Sequence, residues 1–382
     1  MNRSSIQLPP GLLPAAEARL EQMIADIRTL VEVETPSSDL EAVAAGAAEV
    51  ARLMRERLGA GPETIVIDGV THLRLRFGDG PARVVLVNHQ DTVWPHGTLN
   101  RLPFTAEDGV LRGPGVFDML TGLVMSVHAA ALVAQSGRPL EGLSILVTGD
   151  EEVGSITSRD LILTEAAEAR AVYVMEAAAD GALKVARKGV AMYQVTVHGR
   201  SSHAGLDPEK GINAGVGLGL LLPQIAALSD PQAGTTVTPT VLSGGTTTNT
   251  VPAEARVQVD SRAASRAEQE RVDAAIRALP EPIPGATVTV TGGINRPVMP
   301  RAAAEELLAE ARRVAAELGL AEPEAVEVGG ASDGNFTGGA GIPTLDGLGA
   351  AGAGAHADHE HAIIAEIAPR TALLAGLISA RL

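Results

Sequence analysis

The sequence predicts an α/β protein of two domains, in which a mixed, mostly parallel sheet flanked by helices carries an inserted α+β domain. The chain has 382 residues, which is more than one hydrophobic core usually organises. Its first half holds nearly continuous apolar runs of strand length, typical of parallel strands buried on both faces. After residue 189 the runs alternate between apolar and polar residues, which is typical of a sheet with one open face.

The first domain is predicted to draw on both ends of the chain. Helical spacing of apolar residues predicts helices at residues 15–33, 41–58, 120–135, 302–318 and 367–382. Apolar runs predict strands at residues 84–88, 143–148, 171–175 and 341–348. Gly59 follows the second helix in the position of a C-cap. A domain of this kind is expected to place ligands at the carboxyl ends of its parallel strands.

The inserted domain is predicted to be a small α+β unit. Its strands are predicted at residues 190–197, 237–241, 255–259 and 287–291, and its helix at residues 263–279. A turn at residues 292–297 is predicted to return the chain to the first domain. The expected boundaries are residues 1–187 and 297–382 for the first domain, with residues 188–296 inserted between them.

Composition excludes several classes of protein. The chain carries 30 Lys and Arg against 46 Asp and Glu, a net charge of −16, which does not suit nucleic-acid binding. It contains no cysteine, so any metal must be held by His, Asp or Glu. No stretch reaches membrane-spanning length, and the amino-terminal residues lack the apolar run of a signal peptide. We therefore expect a cytoplasmic protein that binds neither nucleic acid nor membrane.

Polar residues follow each of the predicted buried strands. His89 and Asp91 come after the first, where they could be a metal ligand and the partner that orients it. Residues 150–152 supply three successive carboxylates after the second strand, where neighbouring anions repel and a bound cation offsets that cost. Glu176 follows the third strand. The carboxyl ends of these strands therefore predict a cation site.

Two further candidates lie in glycine-rich segments. Asp118 stands between a glycine-rich turn and a predicted helix, where it is either a helix N-cap or a carboxylate that bridges two cations. His356 lies in the loop after residues 341–348, and His359 and His361 are the alternatives in another register.

Together these side chains fit two divalent cations, each with one His and one carboxylate of its own and one shared carboxylate. The ligands in this set are His89, Asp118, Glu152, Glu176 and His356. Three carboxylates leave a small positive excess on two divalent ions, which would convert a bridging water into a nucleophilic hydroxide. Glu151, which is not a ligand in this set, is the expected general base. His and carboxylate ligands accept zinc, cobalt or manganese.

Eight motifs follow one another in the order of a known family. They are HQDTV from His89, GPGVFDM around Asp118, DEEVG from Asp150, Glu176, GRSSHAG around His203, NTVP from Asn249, DSR ending at Arg262 and GAH ending at His356. Over nearly its whole length the chain resembles the metal-dependent amidohydrolases. This family includes bacterial glutamate carboxypeptidase, acetylornithine deacetylase, succinyl-diaminopimelate desuccinylase and aminoacylase.

The resemblance implies a catalytic domain with two zinc ions and an inserted domain that forms a homodimer. It assigns Asp118, Glu152 and His356 to one metal. It assigns Asp118, as a shared ligand, together with His89 and Glu176 to the other metal.

The resemblance also implies roles for three residues of the inserted domain. His203 would reach the partner subunit's active site and stabilise the oxyanion. Arg262 and Asn249 would hold the carboxylate of the substrate, a role that suits the fork of a guanidinium group.

The expected function is hydrolysis of an amide bond next to a free carboxylate, with release of a C-terminal amino acid such as glutamate. The substrate is expected to be a small peptide or N-acyl amino acid. A deacylase of N-acyl amino acids is the alternative with the same chemistry. A non-catalytic protein of this fold would have lost a ligand or the base, and the sequence retains both. A nucleotide-binding dehydrogenase would need a glycine fingerprint that GPGVFD does not match.

Overall fold

The computed structural model of the protein describes residues 8–382. Residues 1–7, part of the segment expected to lack a signal peptide, lie outside the described residues. The chain folds into two compact units. The first comprises the described residues through Ala186 with Met299–Val328 and Ser332–Leu382, and the second comprises Arg187–Val298 with Gly329–Ala331. The dimerisation role of residues 188–296 stays a prediction.

The described part of the chain opens with three helices, and from the fourth helix onward single helices separate runs of one to three strands. The helices are α1 (Leu12–Glu17), α2 (Leu20–Val31), α3 (Leu40–Leu58), α4 (Thr121–Gln135), α5 (Arg159–Ala166), α6 (Ala214–Ala226), α7 (Arg266–Arg277), α8 (Glu305–Leu318), α9 (Gly334–Gly339) and α10 (Ile364–Arg381). The strands are β1 (Glu63–Ile67), β2 (Val70–Arg76), β3 (Val84–His89), β4 (Thr105–Glu107), β5 (Val110–Arg112), β6 (Leu143–Thr148), β7 (Ala171–Val174), β8 (Leu183–Arg187), β9 (Gly189–His198), β10 (Thr236–Gly244), β11 (Glu254–Ala263), β12 (Thr287–Arg296), β13 (Ala325–Val328), β14 (Thr344–Leu345), β15 (Gly352–Ala353) and β16 (His361–Ile363).

A six-stranded sheet with the order β1-β2-β6-β3-β7-β14 forms the framework of the first unit. The strands β6, β3, β7 and β14 run parallel, while β1 and β2 add an antiparallel edge. Every residue of β3, β6 and β7 is buried, because both faces of these strands are covered. The predicted fold class, a mixed and mostly parallel sheet flanked by helices, is confirmed. A small antiparallel sheet, β15-β16-β5-β4, lies in the same unit.

The central helix of the first unit is α4, which packs against α3 and α10. The expectation that no stretch reaches membrane-spanning length is wrong for Val116–Gln135, which is long and apolar enough to cross a membrane. This segment is, however, 94% buried inside the protein. A helix that is apolar on all sides is also what the core of a large domain requires. Its side chains form much of the main hydrophobic core.

An antiparallel sheet with the order β10-β11-β9-β12 forms the second unit, and α6 and α7 pack against it. Buried and exposed residues alternate along β11, so one face of the sheet packs on the helices and the other is open. Val195, Val257 and Leu221 are fully buried in the core between sheet and helices.

Two predictions about individual segments are wrong. The turn predicted at residues 292–297 is largely part of β12, which extends to Arg296. Gly292 makes this possible, because it adopts a φ of 82° and a Cβ there would lie 2.2 Å from the carbonyl oxygen of Met192. The strand predicted at residues 341–348 is reduced to the two residues of β14, and the rest of that segment is loop.

A cluster of ion pairs joins β2 to α5. Glu165 accepts hydrogen bonds from Arg76 Nη2 at 2.5 Å and Nε at 3.0 Å, and from Arg74 Nη1 at 3.3 Å. Arg74 also pairs with Glu63 at 2.6 Å. Burial raises the pKa of Glu165, but the two guanidinium groups outweigh it and hold the pKa below its ordinary value. The carboxylate is therefore charged in the folded protein.

Candidate metal centre

The carboxyl ends of β3, β6 and β7 lie side by side, because the three strands are parallel neighbours. His89 is the last residue of β3, residues 150–152 follow β6, and Glu176 follows β7. Asp118 and His356 reach the same place from loops. The structure thus brings the predicted metal ligands together in one cluster of the first unit.

Asp118 lies at the centre of this cluster. Its Oδ1 is 3.3 Å from His89 Nε2, and its Oδ2 is 3.4 Å from His356 Nε2. A second carboxylate stands beside each imidazole, with Glu176 Oε1 3.5 Å from His89 Nε2 and Glu152 Oε2 3.2 Å from His356 Nε2. The two oxygens of Asp118 are therefore divided between two pairs of one imidazole and one carboxylate.

The hydrogen bonding of His89 selects the ring nitrogen that can bind a cation. Its Nδ1 lies 3.0 Å from the backbone oxygen of Asp91, which can only accept a hydrogen bond. The neutral ring therefore carries its proton on Nδ1 and presents the lone pair of Nε2 to the cluster. Within the described residues, this buried Nε2 makes no hydrogen bond of good geometry.

Two of the three carboxylates after β6 differ sharply in their surroundings. Asp150 is buried, and its Oδ2 accepts hydrogen bonds from the backbone nitrogen of Thr157 at 2.7 Å and from its hydroxyl at 2.8 Å. Glu152 instead faces His356, and its Oε1 is buried without a hydrogen-bond partner among the described residues. Asp150 therefore shapes the loop, whereas Glu152 belongs to the cluster.

Glu151, the predicted base, stands beside the other half of the cluster. One of its carboxylate oxygens lies within 4.8 Å of the ligand atoms of His89 and Glu176. At this distance it can act on a molecule held in the cluster, and it can also coordinate a cation. Metal content distinguishes the two roles, because replacing a ligand releases a cation and replacing a base does not.

Asp91 holds the acidic loop in place. Its Oδ1 accepts a hydrogen bond from the backbone nitrogen of Glu151 and its Oδ2 from that of Glu152, both at 3.2 Å. Ser37 Oγ donates to Oδ2 at 2.7 Å. The Oδ1 of Asp91 is 3.6 Å from His89 Nδ1, farther than the backbone oxygen. Asp91 therefore orients the imidazole mainly through its backbone and uses its carboxylate to fix the loop.

Asp118 lies in the loop before α4. The helix begins at Thr121 and has no side-chain cap, so the alternative in which Asp118 is the helix N-cap is wrong. The peptide bond between Asp118 and Met119 is cis. Gly115 turns the chain at a φ of 73°, where a Cβ would lie 2.7 Å from Thr92 Cγ2. This position of the loop therefore requires glycine.

His356 faces Asp118 from a tight turn before β16. In contrast, His361 Nδ1 lies 3.0 Å from the backbone oxygen of His359, and His361 itself begins β16. His356 adopts a φ of 62°, a conformation that is uncommon for residues other than glycine. Among the three histidines of this motif, the geometry favours His356 as the ligand.

Glu360 belongs to the site although the motifs did not single it out. Its Oε1 accepts hydrogen bonds from the backbone nitrogens of Phe117 at 2.9 Å and Asp118 at 3.1 Å. Its Oε2 accepts from Trp94 Nε1 at 2.8 Å and from the backbone nitrogen of Gly115 at 3.1 Å. The one signal for it in the sequence is its position four residues after His356.

The carboxylates of the cluster control the protonation of its histidines. Asp118 and Glu152 raise the pKa of His356 to about 10 through hydrogen bonds. Burial lowers the pKa of His89, but Asp118 and the other carboxylates outweigh it and raise that pKa well above its ordinary value. Burial raises the pKa of Asp118, yet the two imidazoles outweigh it and the pKa lies well below the usual range. Negative charge dominates the cluster and attracts cations.

The donors present fit two divalent cations. Imidazole nitrogen and carboxylate oxygen are the ligands that zinc, cobalt and manganese take in cysteine-free sites. The buried Nε2 of His89 and Oε1 of Glu152 have no hydrogen-bond partner among the described residues, and buried polar atoms of this kind are costly. A cation on each side of Asp118 would satisfy these atoms and offset the repulsion between the carboxylates.

The three remaining predicted residues lie in the second unit. His203 Nδ1 accepts hydrogen bonds from the backbone nitrogens of Gly205 and Leu206, both at 3.1 Å. The backbone oxygen of Asn249 accepts a hydrogen bond from Ala204 at 2.8 Å, which joins the two loops.

Arg262, on β11, forms an ion pair with Asp260. Its Nε lies 3.0 Å from Oδ1 and its Nη2 lies 2.9 Å from Oδ2. Both side chains are about one third exposed, at 35% and 33%. The pairing orients the guanidinium group and, among the described residues, leaves its Nη1 without a hydrogen bond.

A mostly parallel sheet that ends in a cluster of two imidazoles and several carboxylates fits the class of metal-dependent hydrolases. The chain belongs to peptidase family M20/M25/M40, whose sequence profile matches residues 85–380. It is 30% identical to carboxypeptidase G2 of Pseudomonas sp. (strain RS-16) over 385 aligned positions. This alignment covers 96% of this chain and 91% of that enzyme. It is 28% identical to succinyl-diaminopimelate desuccinylase of Rhodopseudomonas palustris (strain BisB5), over 54% of this chain and 58% of that enzyme.

Solved structures share the fold. Aminopeptidase PepT from Bacillus cereus ATCC 10987 superposes with a TM-score of 0.74 at 22% identity, over 94% of this chain and 98% of that one. The M20 family metallo-carboxypeptidase Sso-CP2 from Sulfolobus solfataricus superposes with a TM-score of 0.71 at 14% identity, again over 94% and 98%. The family resemblance predicted from the motifs is confirmed, and the protein is a metallohydrolase of this family.

Proposed function

We propose that the protein is a two-metal carboxypeptidase that cleaves an amide bond next to a free carboxylate and releases a C-terminal amino acid such as glutamate. The observation that carries the proposal is the division of the two Asp118 oxygens between His89 and His356. Two cations that share a carboxylate are typical of hydrolases that activate water. The 30% identity to carboxypeptidase G2 over most of both chains supports the carboxypeptidase reaction.

Asp118, Glu152 and His356 would hold one cation, and Asp118, His89 and Glu176 the other. Zinc is the proposed metal, with cobalt and manganese as substitutes, because the donors are only imidazole and carboxylate. Bound ions of this kind polarise the scissile carbonyl and lower the pKa of a water between them.

Glu151 is proposed to act as general base. It would take a proton from the attacking water and deliver it to the departing nitrogen. Its support is its carboxylate's place beside His89 and Glu176. The hydrogen bond from its backbone nitrogen to Asp91 fixes where the side chain leaves the loop.

His203 is proposed to stabilise the oxyanion that forms on the carbonyl. Because its Nδ1 accepts two backbone hydrogen bonds, the neutral ring carries its proton on Nε2, where it can be donated to an oxyanion. The family resemblance suggests that His203 serves the active site of the partner subunit. Arg262 and Asn249 are proposed to hold the free carboxylate of the substrate, and the ion pair with Asp260 would orient the guanidinium fork.

A homodimer is part of the proposal. On α6, Val216 and Leu220 are 53% and 49% exposed and lie one turn apart. On the edge strand β10, Val241 and Leu242 are 57% and 53% exposed. Exposed apolar residues on a helix and on an adjacent sheet edge are features of protein interfaces. The measured mass in solution tests this part, with Leu220→Glu expected to shift it from dimer to monomer.

The alternative reaction is deacylation of N-acyl amino acids, which uses the same residues. Its support is the similarity to succinyl-diaminopimelate desuccinylases, at 28% identity over about half of the chain. A cytoplasmic location suits either reaction and is proposed for both.

A paired substrate screen tests the proposed function. Zinc-loaded enzyme is offered dipeptides and N-acyl amino acids, each beside the same compound with an amidated carboxyl group. We expect turnover only when the carboxylate is free, and loss of turnover on chelation that zinc reverses. Faster cleavage of peptides than of simple acyl compounds supports the carboxypeptidase, and the opposite order supports the deacylase. Equal turnover of free and amidated compounds contradicts both.

A further inference from the structure

Glu360 joins three segments of the first unit. Its side chain is buried, with 3% of the residue exposed. Backbone nitrogens of Phe117 and Asp118 donate to one carboxylate oxygen, and the backbone nitrogen of Gly115 and the indole of Trp94 donate to the other. Four donors at 2.8–3.1 Å use the four acceptor positions of a carboxylate. A neutral amide of the same size could not accept all four.

The loop that Glu360 holds is the one that presents Asp118. The nitrogens of Phe117 and Asp118 both point to Oε1, so the backbone is fixed at the residue that carries the shared carboxylate. Gly115, two residues before Phe117, is fixed through Oε2. Without these bonds three backbone N–H groups next to the cluster would lose their acceptor.

The turn that carries His356 carries Glu360 as well. Hydrogen bonds from Ala357 to Gly354 at 2.9 Å and from Glu360 to Ala357 at 2.8 Å close this turn. Gly354 leaves no space for a side chain, because a Cβ there would lie 2.9 Å from Glu360 Cα. His356 and the carboxylate of Glu360 are therefore held by one compact piece of backbone.

We infer that Glu360 is a positioning residue that sets the separation between Asp118 and His356. It thereby sets the affinity of the cation proposed to lie between these two residues and Glu152, so the inference rests on the proposed function. Glu360 is not a ligand itself, because N–H groups use its acceptor positions. The other cation position shares Asp118 but takes its imidazole from His89, which β3 and the backbone oxygen of Asp91 hold independently of Glu360.

Glu360→Gln tests this inference, because it keeps the size of the side chain but turns an NH2 group toward two N–H donors. Zinc binding is measured by chelator competition and elemental analysis, with circular dichroism as the check on folding. We expect the zinc ion at His356 to bind about 10- to 100-fold more weakly, a size found for residues that orient ligands. The zinc ion at His89, which shares Asp118 but not the turn that carries His356, should be weakened less. Excess zinc should then restore kcat, which it would not do if the change simply damaged the fold.

Asp358→Asn is the matched control. It makes the same carboxylate-to-amide change in the same turn, but its side chain is 71% exposed and pairs with Arg101 on the surface. It should bind both ions like the wild type. Glu360→Asp keeps the negative charge but shortens the side chain by one methylene. Its zinc affinity is measured as well, and we expect a smaller loss of affinity at the same ion.

Two outcomes would overturn the inference, and they differ in what else they affect. Glu360 variants that fold and bind both ions as tightly as the wild type would overturn it and leave the proposed function intact. A wild-type protein that binds fewer than two zinc ions would overturn the proposed two-metal site together with the inference.

Discussion

The backbone nitrogen of Glu152 donates a hydrogen bond to Asp91 Oδ2 at 3.2 Å, so a buried carboxylate holds the loop that carries a proposed metal ligand. The Asp91→Asn substitution would place an NH2 group opposite a backbone N–H donor of this loop, so one of the two hydrogen bonds would be lost. We expect kcat/KM to fall about 10- to 100-fold, as for other residues that hold metal ligands in place. Steady-state kinetics at saturating zinc measure the change.

Ser37→Ala is the control for Asp91, because it removes one hydrogen bond to the same carboxylate without adding a donor. It should cost only a few-fold. If Asp91→Asn is as active as Ser37→Ala, the carboxylate does not position the acidic loop.

Glu151→Gln should abolish turnover while both metal ions stay bound, because Glu151 is proposed as base and not as ligand. Asp118→Ala should instead lose metal, since both ions share that carboxylate. Elemental analysis of the purified variants distinguishes the two roles. Loss of an ion from Glu151→Gln would make Glu151 a ligand, which its place within 4.8 Å of His89 and Glu176 also permits.

Arg262→Ala should weaken binding of the free carboxylate of the substrate. Loss of a charge-assisted contact is expected to cost about 2–4 kcal/mol in kcat/KM. The measurement compares a substrate with its C-terminal amide. Equal losses on both would mean that Arg262 acts only through its ion pair with Asp260 and does not contact the carboxylate.

Mixed dimers test whether His203 acts on the partner subunit. Glu151→Gln and His203→Ala should each be inactive alone. In a mixed dimer, the site that keeps Glu151 would receive an intact His203 from the other chain. Random pairing makes half of the dimers mixed, so co-expression should restore about a quarter of wild-type activity in a symmetric dimer. No recovery, with mixed dimers verified by mass spectrometry, would show that His203 does not act across the interface.

Glu165→Gln should destabilise the fold by about 1–3 kcal/mol at neutral pH, because Arg74 and Arg76 lose a buried charged acceptor. The pKa of Glu165 lies below its unfolded value, so its contribution is fully present above the unfolded pKa and is lost as the pH falls toward the folded one. The difference in unfolding free energy between wild type and variant should therefore shrink on acidification. Glu63→Gln, which removes only the exposed partner of Arg74, should have little effect.

Periodicity predicted the elements with strong apolar patterns and missed those with weak ones. The strands that became β3, β6 and β7 are buried along their whole length, so their sequences are nearly all apolar. The helix α6 was missed because its sequence, AGVGLGLLLPQIA, holds three glycines and Pro223, and tertiary packing overrides those propensities. The edge strand β1 and its neighbour β2 were missed because their burial is partial.

The ligands of the site could be predicted, but what holds them could not. His89, Glu152 and Glu176 stand at strand ends, where their order along the chain implies that they meet. Glu360 is separated from Trp94 by 266 positions, and only the folded chain shows that they bond. The hydrogen bonds that the Asp91 carboxylate accepts from backbone N–H groups are also invisible in sequence. Every residue except proline has a backbone N–H group, so these bonds require no particular residue types.

Trp94 gives the protein an intrinsic optical reporter. It is the only tryptophan in the chain, and its indole nitrogen donates to Glu360 at 2.8 Å. All tryptophan fluorescence therefore originates beside the turn that carries His356. Occupancy of the centre could be followed through this emission without an attached dye, on the unmodified protein and at concentrations too low for calorimetry.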